Sequence, residues 1–115
     1  MSPEQSKALH DRFPALFPEK VWFYCGDGWY GVLEKLFSDI VEHAEAAGIS
    51  PAVVSVQGKY GSLRVGTSEE DRHIRLLLHD AEDASEKTCE ICGAPGTLLD
   101  DGVWIKTRCR WHVRR

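Results

Sequence analysis

Four side chains that commonly bind metals lie near the C-terminus in two close pairs, Cys89 with Cys92 and Cys109 with His112. Two residues intervene within each pair, which places both side chains on the same side of a tight turn, and sixteen residues separate the pairs. Three thiolates and one imidazole form a ligand set found in closed, tetrahedral structural zinc sites. The alternatives are coincidental spacing or two disulfides. The spacing predicts one structural zinc ion bound by these four residues.

The chain between the two pairs predicts a β-hairpin that would bring the ligands to one point. Two apolar, β-branched segments, residues 97–99 and 103–107, flank a glycine-containing turn at 100–102. We therefore expect residues 88–115 to form a zinc-ribbon module that packs on, or projects from, an α+β core domain of residues 1–87.

The sequence ahead of the ribbon predicts the elements of that core. Apolar residues recur at helical spacing in the longest helix, with Asp27 expected as its N-cap and Gly48 as its C-cap. The pattern predicts a small three-stranded sheet with helices on one face, plus the C-terminal zinc-ribbon hairpin. The expected elements are a helix over about 2–12, a strand over 21–25, a helix over about 28–47, a hairpin over 53–65 and a helix that begins at Ser68.

Charge is distributed unevenly along the 115 residues, whose formal net charge is −4. Residues 104–115 contain five basic and no acidic side chains, so the rest of the chain carries a net charge of −9. The basic end is a candidate for binding nucleic acid, with Trp104 and Trp111 as stacking surfaces. Alternatively, the anionic metal site and the acidic residues between 80 and 86 neutralise it internally.

Seven residues are candidates for contact with a partner. The turn at 26–30 contains two glycines that would let a ligand approach the backbone, followed by two aromatic residues; alternatively, it is a strand-to-helix turn whose aromatics join the core. The hairpin tip at 58–61 presents a basic and an aromatic side chain, and another aromatic residue lies between the last two metal ligands. The candidates are Asp27, Trp29, Tyr30, Lys59, Tyr60, Arg64 and Trp111.

Cys25 is left without a cysteine partner once the metal ligands are counted. A thiol between a strand and a helix start can be a nucleophile, but a lone cysteine among aromatic residues is more often a small buried apolar side chain. We find no nucleophile–base motif, catalytic-metal triad or phosphate loop, so we expect no enzymatic activity. A free thiol beside a thiolate metal site indicates the reducing cytoplasm, and no apolar segment is long enough to span a membrane.

Four segments of the chain resemble an uncharacterised family of small bacterial and phage-encoded proteins. They are CGDGWY at residues 25–30 with Leu33 downstream, KYGSLR at 59–64, CxxCGAPG at 89–96 and CxxH at 109–112. The resemblance covers about residues 20–112 and implies that the first motif and the ribbon belong to one module. It implies no assigned activity, but a phage or mobile-element origin favours a host-modulating or counter-defence protein.

These observations predict a small non-enzymatic zinc-binding protein that acts by docking on another macromolecule. The expected partner is a protein, and the expected role is inhibition of a host defence or regulatory protein by a phage or mobile element. One alternative is an accessory or regulatory factor that binds nucleic acid through residues 104–115. Another is a small hydrolase built around Cys25 and Asp27.

Overall fold

The computed structural model describes all 115 residues, Met1–Arg115, and confirms the predicted α+β fold. β1, β2 and β3 form a mixed sheet with β2 in the centre, and β4 and β5 form a separate antiparallel hairpin. Short 3-10 turns precede β1 and α2. The elements are α1 (Pro3–Arg12), β1 (Phe23–Tyr24), α2 (Tyr30–Ala47), β2 (Val53–Lys59), β3 (Ser62–Thr67), α3 (Arg72–Ser85), β4 (Thr97–Asp100) and β5 (Ile105–Arg108).

The long helix α2 supplies the largest part of the core, as its apolar stripe predicts. Gly48 ends it in the left-handed conformation, with φ of 70°, so the predicted C-cap is confirmed. α2 packs against α3, and the apolar face of the sheet lies over the same core. The buried residues of α2 are Leu33, Leu36, Phe37, Ile40 and Ala44.

The first strand is much shorter than the predicted 21–25. β1 pairs with β2 in parallel only at Phe23 with Val56 and at Tyr24 with Gln57. Along its other edge, the amino group of Met1 donates to the carbonyl oxygens of Phe23 and Cys25. Both edges of β1 are therefore occupied over a stretch of only a few residues.

The second and third strands form the predicted hairpin. Tyr60 and Gly61 make a two-residue turn with φ values of 54° and 78°, the left-handed pair that suits the twist of a tight hairpin. Lys59 is the last residue of β2, so the basic and aromatic side chains lie at the tip as predicted.

The third helix begins later than the sequence predicts. Ser68 does not cap it; its hydroxyl accepts a hydrogen bond from the amide of Ala52 at 2.8 Å. Asp71 is the N-cap, because its carboxylate accepts from the amide of Ile74 at 2.8 Å. No helix of the chain combines the length and the apolar character needed to cross a bilayer.

Candidate metal centre

The four predicted ligands converge at one point. Their donor atoms all lie within 4.8 Å of one another, so the group could hold a metal ion. The sulfur atoms of Cys92 and Cys109 are 3.6 Å apart, and Nδ1 of His112 lies 3.3 Å from the Cys109 sulfur and 3.7 Å from the Cys89 sulfur. All four cysteines of the chain are free thiols, so no disulfide competes for these ligands.

The local backbone explains this convergence. The hairpin formed by β4 and β5 pairs Thr97 with Arg108, which brings the two ends of the segment side by side. In the first ligand turn, the amide of Gly93 donates to the Cys89 carbonyl at 2.9 Å, and Gly93 adopts a φ of 82° that favours glycine. In the second turn, the amide of His112 donates to the Cys109 carbonyl at 3.1 Å.

The environment of Cys89 favours its thiolate. Burial alone would raise the pKa of this thiol, but hydrogen bonds from the backbone amides of Cys109, Cys92 and Ile91, with a further one to His112, lower the pKa to about 6. A thiolate is the form that binds a metal. Cys89 and Cys109 are buried, His112 is half-buried and Cys92 is exposed, so the centre opens to solvent on one side.

The first ligand turn lies directly on the turn that precedes α2. The amide of Gly28 donates to the Glu90 carbonyl at 2.8 Å, and the amide of Gly26 donates to Oε2 of the same residue at 3.0 Å. A Cβ atom at either glycine would lie under 3.0 Å from backbone atoms of the ligand turn. These glycines therefore allow the ribbon to approach, and the turn at 26–28 is an internal contact surface.

The aromatic residue of this motif also belongs to the internal contact. Trp29 is fully buried, and its indole Nε1 donates to the carbonyl of Thr88 at 2.9 Å, next to the first ligand. The prediction of Trp29 as a partner contact is therefore wrong, because no part of its side chain reaches the surface. The two glycines and the tryptophan together attach the ribbon to the core.

The neighbours of Trp29 have different environments. Asp27 does not cap α2, since its carboxylate accepts from the amide of Ser2 at 2.6 Å and α2 has no side-chain cap. Tyr30 is half-buried and lines a groove of about 570 Å³ between α2, α3 and the first ligand turn. Both side chains remain partly accessible to solvent.

The ribbon contacts the core a second time at the hairpin tip. The buried hydroxyl of Thr107 donates to the carbonyl of Gly61 at 2.7 Å. Lys59 and Tyr60 beside this contact are exposed, with 66% of Tyr60 accessible. Arg64 also reaches solvent but forms an ion pair with Glu82 at 3.3 Å, so it is less free to meet a partner.

The basic end is not neutralised by the acidic residues of α3. Arg108 lies 3.6 Å from Glu90, whereas Lys106, Arg110, Arg114 and Arg115 form no ion pair. The guanidinium of Arg110 instead lies over the ring of Trp111, 4.5 Å from its centroid. The carboxylates between residues 82 and 86 contact Arg64, His79 and Ser62. The two charged regions are neighbours in sequence but bind different groups.

Cys25 is buried against the core rather than presented to a substrate. Its burial raises the pKa of the thiol to about 11, and the carboxylates of Glu90 and Asp27 add to the effect against the lowering by the N-terminal amino group. No histidine hydrogen-bonds this thiol: His10 contacts Ser6 and Val21 through its two ring nitrogens. The thiol therefore stays protonated at neutral pH.

Sequence reasoning missed the residues that connect the ribbon to the core. The backbone carbonyl of Glu90 accepts a hydrogen bond from Gly28, and its side chain accepts one from Gly26. The hydroxyl of Thr107 in the ribbon donates to the carbonyl of Gly61 in the core. These contacts join residues far apart in the chain, so no spacing signal identifies them. The clustered glycines at 26 and 28 were the available signal, because close backbone approach is a common reason for glycine.

Comparisons with protein-family models, with curated proteins and with solved structures find no match for this chain. The family resemblance of the four motifs therefore remains an expectation from the sequence. The proposal of a function rests on the metal group, the exposed side chains and the charges described above.

Proposed function

We propose that this chain is a non-enzymatic, zinc-stabilised binding protein that docks on another protein. The observation that carries the proposal is a group of four protein ligands fastened to the core at two places, with exposed aromatic side chains around it. In such an arrangement the metal stabilises the conformation of a binding surface.

Zinc is the metal that best fits the ligand group. Three sulfurs and an imidazole favour zinc over the harder cations, which prefer oxygen. Zinc–sulfur bonds of about 2.3 Å and zinc–nitrogen bonds of about 2.0 Å in a tetrahedron place the donor atoms about 3.5–3.8 Å apart. The separations of 3.3, 3.6 and 3.7 Å are close to this range. Four protein ligands complete the tetrahedron and leave no position for a substrate.

The surroundings of Cys25 support the absence of catalysis in this proposal. A nucleophilic thiol needs a lowered pKa or an adjacent base. Cys25 has a raised pKa of about 11 and no histidine partner. Asp27 is exposed, but its carboxylate accepts a backbone hydrogen bond from Ser2 and has no second carboxylate partner at hydrogen-bond distance.

The proposed docking surface contains the exposed aromatic residues around the ribbon. Tyr60 is 66% accessible and Trp111 73% accessible, and each has a basic side chain over its ring, Lys59 and Arg110 respectively. Tyrosine, tryptophan and arginine are the residues that most often anchor protein interfaces. The acidic remainder of the chain favours a partner with a basic surface, such as a nucleic-acid-binding cleft. With a phage or mobile-element origin, inhibition of a host defence or regulatory protein is the proposed use.

The test is a capture experiment with matched variants. The zinc-loaded full chain is immobilised, host lysate is passed over it, and bound proteins are identified by mass spectrometry. Tyr60→Ala and Trp111→Ala should each lose a specific partner while keeping zinc content and thermal stability, whereas Val54→Ala, at another exposed apolar position, should retain it. Capture that is unchanged in both aromatic variants would refute the proposed surface.

Nucleic-acid binding is a second candidate, favoured by the unpaired charges of the basic end. Lys106, Arg110, Arg114 and Arg115 form no ion pair, so their charges are available to phosphate. Its test is binding of labelled oligonucleotides at several salt concentrations. Affinity that persists at physiological salt without any captured protein would favour this second candidate.

A further inference from the structure

A cleft of about 500 Å³ lies between the tip of the β2–β3 hairpin and the ribbon. None of the four metal ligands lines it, but Gly26, Gly61 and Glu90 do, and these residues also fasten the ribbon to the core. Its volume is in the range of small-ligand sites in proteins, about 300–1,000 Å³. The side chains that matter for its chemistry are Tyr60, Trp104, Lys106, Arg108 and Glu90, and we name it the Tyr60–Trp104 cleft.

Two large aromatic side chains border this cleft and remain exposed. Tyr60 is 66% and Trp104 62% accessible. Their backbones are held in place: Tyr60 occupies a tight turn at a φ of 54°, and the amide of Trp104 donates to the carboxylate of Asp101 at 2.7 Å. Exposed rings on a fixed backbone can stack on a flat ligand with little loss of conformational entropy.

The charges of the cleft favour an anion. Arg108 lines it and lies 3.6 Å from Glu90, whose other carboxylate oxygen already accepts from Gly26. The Nε–H of Arg108 is buried and makes no hydrogen bond, while Nη1 donates to the Thr107 carbonyl at 3.0 Å and 11% of the side chain is accessible, so the guanidinium has an unsatisfied donor but only a small exposed surface. Lys106 forms no ion pair, and Lys59 lies next to Tyr60, 5.6 Å from its ring centroid. Two cations, Lys106 and Arg108, therefore line the cleft with the single lining carboxylate of Glu90, and the carboxylate of Asp101 lies at its border beside Trp104.

We propose that the Tyr60–Trp104 cleft binds a nucleotide unit, with the base stacked on Tyr60 or Trp104 and the phosphate held by Lys106 and Arg108. Flat bases and phosphate are the two chemistries that aromatic and basic side chains recognise together in single-stranded nucleic acid. A duplex hides the faces of its bases, so the cleft favours a single strand or a free nucleotide. The inference rests on the second candidate function and narrows its ligand; because Tyr60 also belongs to the proposed protein-docking surface, Trp104 is the residue that distinguishes the two.

The test measures binding of short labelled oligothymidylate to the zinc-loaded full chain by fluorescence anisotropy. Trp104→Ala should weaken binding about tenfold, in line with the loss of one base-stacking surface. Trp22→Ala is the matched control, because Trp22 is equally exposed but lies outside the cleft, and it should leave affinity unchanged. Lys106→Gln should lower the slope of log affinity against log salt by about 0.7, the value for one phosphate contact on a single strand.

Further ligands distinguish the source of the nucleotide. A mononucleotide that competes with the oligomer at similar concentration identifies a free nucleotide as the ligand, whereas competition by the oligomer alone identifies a single strand. Duplex DNA or inorganic phosphate that competes as well as the oligomer would overturn the proposal, since stacking would then contribute nothing. Equal effects of Trp104→Ala and Trp22→Ala, or no binding at low salt, would also overturn it. Trp111→Ala should leave oligomer binding unchanged, so failure here is separable from failure of protein docking.

Discussion

Gly28 lies directly beneath Glu90: the amide of the glycine donates to the carbonyl of the glutamate at 2.8 Å, within the first ligand turn of the metal centre. About sixty residues of chain separate the two, and this segment contains α2, β2, β3 and α3. The glycine-rich turn before α2 is therefore in direct contact with the first ligand turn of the ribbon. The stability of the metal centre and that of the core are expected to be coupled through this contact.

Replacing Gly28 with alanine should weaken the attachment of the ribbon. A Cβ atom there would lie under 3.0 Å from the Cys89 carbonyl oxygen and from Glu90, and these are backbone atoms that cannot move independently. We expect Gly28→Ala to lower the free energy of unfolding by about 1–3 kcal/mol, the usual cost of overpacking. Thermal or urea unfolding of the zinc-loaded protein measures this change.

Gly31→Ala is the matched control for that substitution. Gly31 lies in the first turn of α2, and nothing is within 4 Å of its would-be Cβ. Alanine favours a helix over glycine by about 1 kcal/mol, so this variant should be neutral or more stable. Equal stability of the two variants would contradict the close contact between Gly28 and the ribbon.

The sequence was informative wherever neighbouring residues determine the structure. Three features depend on residues that are close to one another in the sequence. They are the end of α2 at Gly48, the Tyr60–Gly61 turn and the close spacing within each pair of metal ligands. The N-cap predictions were wrong where a residue distant in the sequence binds the predicted capping side chain. Asp27 binds Ser2 instead of capping α2, and Ser68 binds Ala52 instead of capping α3. In each case the side chain binds a residue distant in the sequence instead of the end of the helix.

Loss of the metal should loosen the core beside it. Cys92→Ser changes the exposed ligand, so it removes a zinc bond with little effect on packing. With one ligand lost, we expect the zinc content to fall below one ion per chain. Because structural zinc contributes about 10 kcal/mol or more to the folding free energy of small domains, we also expect the ribbon to unfold. Elemental analysis measures the zinc. Hydrogen exchange measures the amides of Gly26 and Gly28, which should lose protection because their acceptor is Glu90.

The control for this experiment is Cys25→Ser, which alters a cysteine outside the ligand group. It should retain one zinc per chain and the protection of both glycine amides. Full zinc content in Cys92→Ser would contradict the assignment of that ligand. Lost zinc with unchanged exchange at Gly28 would instead contradict the coupling between the metal centre and the core.

The buried thiol of Cys25 should make stability fall in alkaline solution. Burial raises its pKa from 9.0 to about 11, so the folded protein holds this proton more tightly than the unfolded chain does. The stabilisation of the folded state by the protonated thiol is complete below pH 9 and is lost as the pH rises through about 11. Zinc-loaded wild type should therefore lose stability relative to Cys25→Ala across this interval, as measured by urea unfolding. Rapid alkylation of Cys25 in the folded protein at neutral pH would count against it.

Reversal of the two terminal arginines should affect binding of a protein partner less than loss of Trp111. Arg114 and Arg115 are exposed and unpaired, so salt screens their charges, and they mainly influence the rate of approach. Trp111 is 73% accessible and offers apolar area that an interface can bury. Calorimetric titration of the captured partner should show a larger loss of affinity for Trp111→Ala than for Arg114→Glu with Arg115→Glu. Tight, sequence-tolerant binding of DNA or RNA at physiological salt, abolished by the double reversal, would instead favour the nucleic-acid candidate.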